Sequence, residues 1–264
     1  MPASTLPAIV ITGASRGIGE HLAYEFAREK GAMLLVARSK DALDRVAREC
    51  AARGATQVET MPLDLARIDA IDQLEARIVA LGFHVETLVN NAGYALKGQF
   101  AKLDEADEVG IVELNIRALT ALTRRFLPGM IERGKGGIVN LASTAAFAPG
   151  PLMAVYYASK AYVLSFTRAL AYEVRGKGVT VTALCPGPTI SGFQARAGLD
   201  GTRMMRLMPL MTAGRVAAIG YRGHRAGKSV VVTGAMNRIM AASSRLAPTG
   251  LMMMATKYLH RTAP

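Results

Sequence analysis

Short apolar runs alternate with longer, helix-patterned stretches along most of the chain. AIVIT (8–12) is β-rich, and Ile18, Leu22 and Phe26 follow it at fourfold spacing, as on one face of a helix. AMLLVA (32–37) precedes a charged helical stretch over 40–53, and QVETMPL (57–63) precedes a helix ending near Leu81. VETLVN (85–90) reads as a strand, with helical sequence continuing to about Arg133. GGIVNLA (136–142), VTVTALC (179–185) and SVVVTG (229–234) complete seven strands. These runs are apolar throughout rather than alternating, which predicts strands buried on both faces of a parallel sheet. Strand–helix alternation of this kind predicts right-handed βαβ units and an open, doubly wound α/β sheet. No linker, repeat or low-complexity break interrupts residues 1–264, so one domain is expected. Its core runs over about 7–234, followed by an extension over 235–264.

Composition narrows the class. Hydrophobic residues make up 51% of the 264, enough for a sizeable core. No apolar run approaches the roughly 18 residues needed to span a bilayer. The stretch MPASTLPAIVITG has neither a basic leader nor a long apolar segment, which argues against a signal peptide. Cys50 and Cys185 match no metal or redox spacing, so reduced thiols in a reducing cytoplasm are expected. His21, His84, His224 and His260 are scattered and form no H-E-x-x-H, and no metal is expected. The net charge of +12 is unevenly placed: residues 201–264 hold ten Lys/Arg, no Asp or Glu, and nine of the fourteen methionines.

Candidate chemistry begins where the first strand meets the first helix. In ITGASRGIGE (11–20), Gly13, Gly17 and Gly19 are spaced G-x-x-x-G-x-G. Small residues let the backbone turn sharply and approach a pyrophosphate, and the helix N-terminus offers free N–H groups. At the end of the next strand, where an NAD site places an acid for the ribose 2′-OH, this chain has Arg38 in LLVARSK. Arg16, inside the glycine turn, supplies a second guanidinium, and two arginines suit a 2′-phosphate. The expected cofactor is therefore NADP(H). Further on, VYYASKAY (155–162) sets three phenols around Lys160. An ammonium favours a nearby phenolate, and helix geometry alone leaves both Tyr156 and Tyr157 as neighbours of Lys160.

TGASRGIG (12–19), NNAG (90–93), Asn115 in ELNIRALT, Ser143 in IVNLAS and YYASK (156–160) fall in order, with thirteen residues from Ser143 to Tyr156. Together, over about residues 7–234, they resemble the short-chain dehydrogenase/reductase family. The resemblance implies a single-domain Rossmann-type sheet of about seven parallel strands with helices on both faces. It also implies metal-free interconversion of a carbonyl and a secondary alcohol. The family motif Tyr-x-x-x-Lys falls on Tyr156 and Lys160, which leaves Tyr157 as packing. Lys160 is implied to lower the Tyr156 pKa and hold the nicotinamide ribose, Ser143 to donate to the substrate oxygen, and Asn115 to position a water. Cofactor contacts are implied for Gly13, Ser15, Arg16, Gly17, Ile18 and Gly19, for Arg38, Asp64 and Leu65, and for Asn91, Ala92 and Gly93. Pro186, Gly187 and Thr189 are further contacts. In CPGPTIS (185–191) either Thr189 or Ser191 stands where the family meets the carboxamide.

The segment 192–211 falls where such chains carry a substrate lid, and its Phe193, Leu199 and four methionines suit an apolar ketone or a 3-oxoacyl substrate. Chains with a tail of this length resemble a ketone and 3-oxoacyl reductase branch. The acid-free extension 235–264 is expected to pack on its own domain or on a second subunit of a homodimer or homotetramer. Weak peripheral membrane contact is the alternative. Nucleic acid is not expected, because no aromatic residues interleave the basic ones. A non-catalytic NADP(H)-binding sensor on the same fold is the rival reading.

Overall fold

β-Branched and leucine-rich runs build a seven-stranded sheet, because extended backbone accommodates them and helices cover the central strands from both sides. In the computed structural model, which describes residues 5–244 and 247–262, β1 (Leu6–Thr12), β2 (Ala32–Ala37) and β3 (Gln57–Pro62) form one half with α1 (Gly17–Ala27) and α2 (Lys40–Ala52). After α3 (Ala70–Ala80), β4 (Phe83–Asn90) returns to the other side of β1. Helices α4 (Glu105–Val112) and α5 (Leu119–Glu132) lead to β5 (Gly136–Leu141), and α6 (Ala154–Glu173) leads to β6 (Val179–Cys185). A lid segment comes next, containing β7 (Thr189–Ile190), α7 (Phe193–Arg196), α8 (Arg203–Leu207) and β8 (Met211–Thr212). Then come α9 (Ala213–Arg225), β9 (Val230–Val232), α10 (Ala235–Ser243) and α11 (Thr249–His260). Residues 1–4 of the start, and 245, 246, 263 and 264 of the extension, lie outside the described residues.

The sheet order is β3-β2-β1-β4-β5-β6-β9, and every pairing is parallel. Alternate side chains of one strand feed two cores. Ala8 and Val10 of β1 pack with α3, α5 and α6, whereas Ile9 and Ile11 pack with α1, α2 and α9. Strand order reverses between β1 and β4, so the loops leaving their C-terminal ends diverge and open a crevice, the usual ligand position in such sheets.

Three expectations need correction. β3 is half-buried rather than covered on both faces, because it is the sheet edge, where Glu59 pairs with Arg77 at 2.9 Å. The helical stretch expected after β4 starts late and is interrupted. An irregular loop holds residues 91–99, and α4 is capped by Asp104, whose side chain accepts from the Asp107 N–H. A π-helical turn over Glu113–Ala118 then separates α4 from α5; such widened turns often occur at functional sites. The parallel pair β7–β8 was not expected, being only two residues a side.

Candidate active site

The glycine turn is locked to the loop after β4. Gly13 has φ +64°, and a Cβ there would lie 2.7 Å from Asn91 Nδ2 and 2.9 Å from Ala92 Cα. Asn91 Nδ2 donates to the carbonyls of Thr12 and Gly13, both at 3.0 Å. Thr12 Oγ1 in turn accepts from the N–H groups of Asn91 and Ala92. No side chain caps α1, so its first-turn amides stay available to an anionic group. Gly13, Ser15, Arg16, Gly17 and Ile18 line the resulting cleft. Gly19 does not; it is packed behind the turn, where a Cβ would meet Asn91 Nδ2 and the Gly13 carbonyl, both at 2.3 Å.

Arg16 and Arg38 are exposed on the cleft rim, and Asp64 Oδ2 stands 4.0 Å from Arg38. Asp64 Oδ1 also accepts from the Ala66 N–H at 3.1 Å, which fixes the turn carrying Leu65. A third guanidinium, Arg196 of α7, lines the same cleft, and partial burial together with the charges of Arg16 and Arg38 lowers its pKa. Sequence reasoning missed Arg196, because nothing in its local pattern distinguishes it from a solvated lid arginine. This donor set suits the 2′-phosphate of NADP(H), and the glycine cradle suits a pyrophosphate.

At the other end of the cleft, β5 delivers Ser143 and α6 delivers Tyr156 and Lys160. The Ser143 hydroxyl caps the short 3-10 turn Thr144–Phe147 by accepting from the Ala145 N–H at 3.1 Å. Lys160 is buried; its Nζ donates to the Leu141 carbonyl at 2.7 Å and stands 5.8 Å from the Tyr156 ring centre. Burial pushes the Tyr156 phenol up to about 12, opposed by the Ser143 hydroxyl. Burial likewise brings the Lys160 ammonium down to about 8. The expected lowering of the phenol by Lys160 is not met in this arrangement: burial raises the phenol, the Ser143 hydroxyl is what opposes it, and the Lys160 ammonium is directed at the Leu141 carbonyl.

Asn115, on the π-helical turn, donates through Nδ2 to the Tyr94 carbonyl and to Ser159 Oγ, and accepts the Tyr94 N–H, all at 3.1 Å. Its side chain is thus committed to bracing the loop that holds Ala92 and Gly93, and it does not line the cleft. A Cβ on Gly93 would approach Asn115 Oδ1 to 2.8 Å and Lys160 Nζ to 3.7 Å. Pro186, Gly187, Thr189 and Ser191 form the opposite wall. Thr189 Oγ1 donates to the Gly187 carbonyl at 2.8 Å, and Ser191 Oγ to Gln194 Oε1 at 3.2 Å. The third phenol, Tyr162, bonds Thr120 Oγ1 at 2.9 Å and does not line the cleft.

Beyond Tyr156 the surface is apolar. Met153, Tyr156, Ala197 and Leu199 form a buried cluster, with Tyr157, Phe193 and Met204 packed against it. Met205 also faces the cleft, while Leu207 is 63% exposed, so the apolar lid residues divide between pocket and surface. His260, from the far end of the chain, reaches this wall. Sequence reasoning treated it as a scattered histidine, and no local signal marks it. Among the described residues no cluster of His, Cys, Asp or Glu could hold a metal ion.

A parallel sheet reversing between β1 and β4, a glycine cradle at that reversal and a Ser/Tyr/Lys cluster beside it define a dinucleotide-fold protein of the oxidoreductase type. The sequence profile of the short chain dehydrogenase family matches residues 7–200, and the chain belongs to that family. It is 35% identical over 181 residues to the human very-long-chain 3-oxoacyl-CoA reductase, covering 67% of this chain and 57% of that protein. It is 35% identical over 179 residues to the ketoacyl reductase HetN of Nostoc sp., covering 68% of this chain and 62% of that one. The match thus spans less than two thirds of either relative. Among solved structures, a short-chain dehydrogenase from Sphingobium yanoikuyae in complex with NADPH superposes with a TM-score of 0.80. The two are 32% identical, with 94% of this chain and 95% of that one covered.

Proposed function

We propose that this protein is an NADP(H)-dependent reductase of an apolar ketone or 3-oxoacyl substrate. The observation that carries the reading is one cleft holding the glycine cradle, Arg16 and Arg38 at one end and Ser143, Tyr156 and Lys160 at the other. The names of the NADPH-bound structural relative and of the two ketoacyl-type relatives support the cofactor and the substrate class.

NADP(H), when bound, supplies the hydride; the proton and the geometry come from the chain. Tyr156 is assigned as proton donor, and a phenol held up at about 12 keeps its proton across neutral pH, the state a reductive direction requires. Ser143 donates to the carbonyl oxygen, where charge develops in the transition state. Lys160 is assigned to the cofactor ribose and to replenishing the Tyr156 proton, its pKa of about 8 being suited to proton exchange near neutrality. Asn115 positions the Gly93 loop beside Lys160. The expected water link is not assigned to the Asn115 side chain, because both amide hydrogens are donated and its oxygen, which already accepts the Tyr94 N–H, is buried away from the cleft. Met153, Leu199 and Met204 accommodate the apolar flank of the ketone.

The test is carbonyl-dependent NADPH oxidation over ketones and 3-oxoacyl thioesters of increasing chain length. Turnover that improves with apolar length supports the reading; tight NADPH binding without turnover on any of them describes a sensor instead. We assign a cytoplasmic location on Cys50 and Cys185 as buried free thiols. Separately, no helix among the described residues is long and apolar enough to cross a membrane. The outer faces of α10 and α11 leave Ile239, Leu251 and Met254 exposed, and we assign them to subunit contact in a homodimer or homotetramer. Weak contact with an anionic membrane surface is the alternative, and light scattering with vesicle sedimentation separates the two.

A further inference from the structure

The C-terminal helix is not an appendage beside the cleft. His260, its last residue, is 1% exposed. Its Nδ1 lies 2.9 Å from the Pro151 carbonyl and its Nε2 lies 2.9 Å from the Tyr157 hydroxyl. A carbonyl only accepts, so Nδ1 carries the proton; in the neutral ring Nε2 is then an acceptor, and the Tyr157 O–H donates to it. Burial holds the imidazole below its ordinary value, Lys97 adds to this, and the Pro151 contact opposes it. Tyr157 meets the His260 ring edge-on at 5.3 Å and the Tyr156 ring edge-on at 6.0 Å. A Cβ on Gly150 would fall 2.2 Å from the Tyr157 ring, so the Pro151 loop lies directly against it.

The same end of α11 is joined to the lid. Thr202 bridges to Thr262, the Arg203 N–H donates to the Arg261 carbonyl at 3.0 Å, and the Arg203 guanidinium lies 4.3 Å from the Tyr258 ring centre. One short segment therefore grips the catalytic helix through Tyr157, the loop before it through Pro151, and the lid through α8. A histidine buried among apolar side chains costs desolvation unless both nitrogens are used, and here both are used on elements that bound the pocket.

We infer that α11 is a strap completing the substrate pocket, with His260 as the positioning residue that fixes Tyr157 as the wall beside Tyr156 while the adjoining residues hold the lid over it. The inference rests on the reductase reading, and it makes the extension a determinant of substrate binding. Losing one such hydrogen bond is worth about fivefold in affinity.

The test compares Tyr157→Phe, His260→Ala, the double variant and His260→Gln with wild type, using a ketone that wild type reduces. Tyr157→Phe removes only an oxygen and guards against misfolding. Each single variant should raise KM about fivefold while kcat and the NADPH Kd change less than about twofold. The double variant should be no worse than the poorer single, and His260→Gln should recover part of the loss. Unchanged KM, or losses that multiply in the double variant, would overturn the strap. If wild type binds NADPH but reduces no ketone, the reductase reading fails and the strap is judged by trypsin. His260→Ala should then be cut after Arg203 and Arg206 at least about fivefold faster, since a released lid opens locally. Equal cleavage rates would overturn it.

Discussion

Lys160 is buried with its ammonium donating to the Leu141 carbonyl and, among the described residues, no carboxylate paired to it, an arrangement that should cost stability and be repaid in function. Burial lowers its pKa from the ordinary 10.5 to about 8, a shift that corresponds to about 3 kcal/mol against the charged form. Below about pH 8 the lysine is charged in both the folded and the unfolded chain, so the folded state carries the whole penalty. Lys160→Met removes the charge and keeps an unbranched side chain of similar length. It also leaves the Leu141 carbonyl without that donor, which costs about 1.5 kcal/mol. The net expectation at about pH 7 without cofactor is a gain of about 1–2 kcal/mol, with reductase activity lost. The pH dependence is the sharper test. As pH rises through about 8, the folded wild type sheds the proton while the unfolded chain keeps it up to about 10.5, so wild-type stability rises. The advantage of Lys160→Met should therefore shrink by about 2 kcal/mol between about pH 7 and pH 9.5. Urea denaturation of both proteins across that range measures it, and groups common to both cancel in the difference. A variant less stable than wild type at about pH 7, or an advantage that is flat with pH, would refute the burial argument.

Arg38→Asp should weaken NADPH binding by at least about tenfold and improve NADH binding, because a carboxylate repels the 2′-phosphate and accepts from a ribose hydroxyl; titration calorimetry measures both. Tyr156→Phe should lower kcat by roughly 10²–10⁴ while NADPH still binds, whereas the kcat of Tyr157→Phe should stay within about twofold of wild type. The reverse order would redraw the motif assignment. With the phenol held up at about 12, alcohol oxidation, which needs phenolate, should accelerate with rising pH, while ketone reduction should not; initial rates in both directions check this. Ending the chain after Ala247 should raise the ketone KM and speed lid proteolysis, while leaving NADPH affinity within about twofold, as calorimetry on the truncated protein would show.

The features legible in the sequence were those set by local chemistry. The parallel sheet was legible because Val10, Leu34, Leu88 and Val139 belong to apolar runs too short for helices and too continuous for half-exposed strands. β3 shows the limit: QVETMP resembles a covered strand in length, and only its place at the sheet edge leaves it half-buried. The glycine turn was legible at Gly13 and Gly17, where positive φ requires glycine, but the sequence did not distinguish a residue lining the cleft from one packed behind it, such as Gly19. The choice of Tyr156 over Tyr157 came from family spacing, since helix periodicity left both near Lys160. The direction of the pKa shift is not legible in the sequence, because proximity along the chain says nothing of burial, and burial dominates at both Tyr156 and Lys160.

His260 was beyond reach for a different reason. Its two partners are 103 and 109 residues away, and neither Tyr157 nor Pro151 carries a pattern that asks for an imidazole. The same distance gives the contact its consequence. A segment outside the matched family region, residues 7–200, closes against the wall next to the proposed proton donor. The reacting groups are delivered by the sheet and α6, and the apolar wall by the lid and α11, the lid also carrying Arg196 to Arg16 and Arg38. Substitutions at His260 or Tyr157 should accordingly alter which ketones bind more than they alter NADPH binding, because the hydrogen bonds of His260 run to Tyr157 and Pro151 rather than to the arginines of the cradle end.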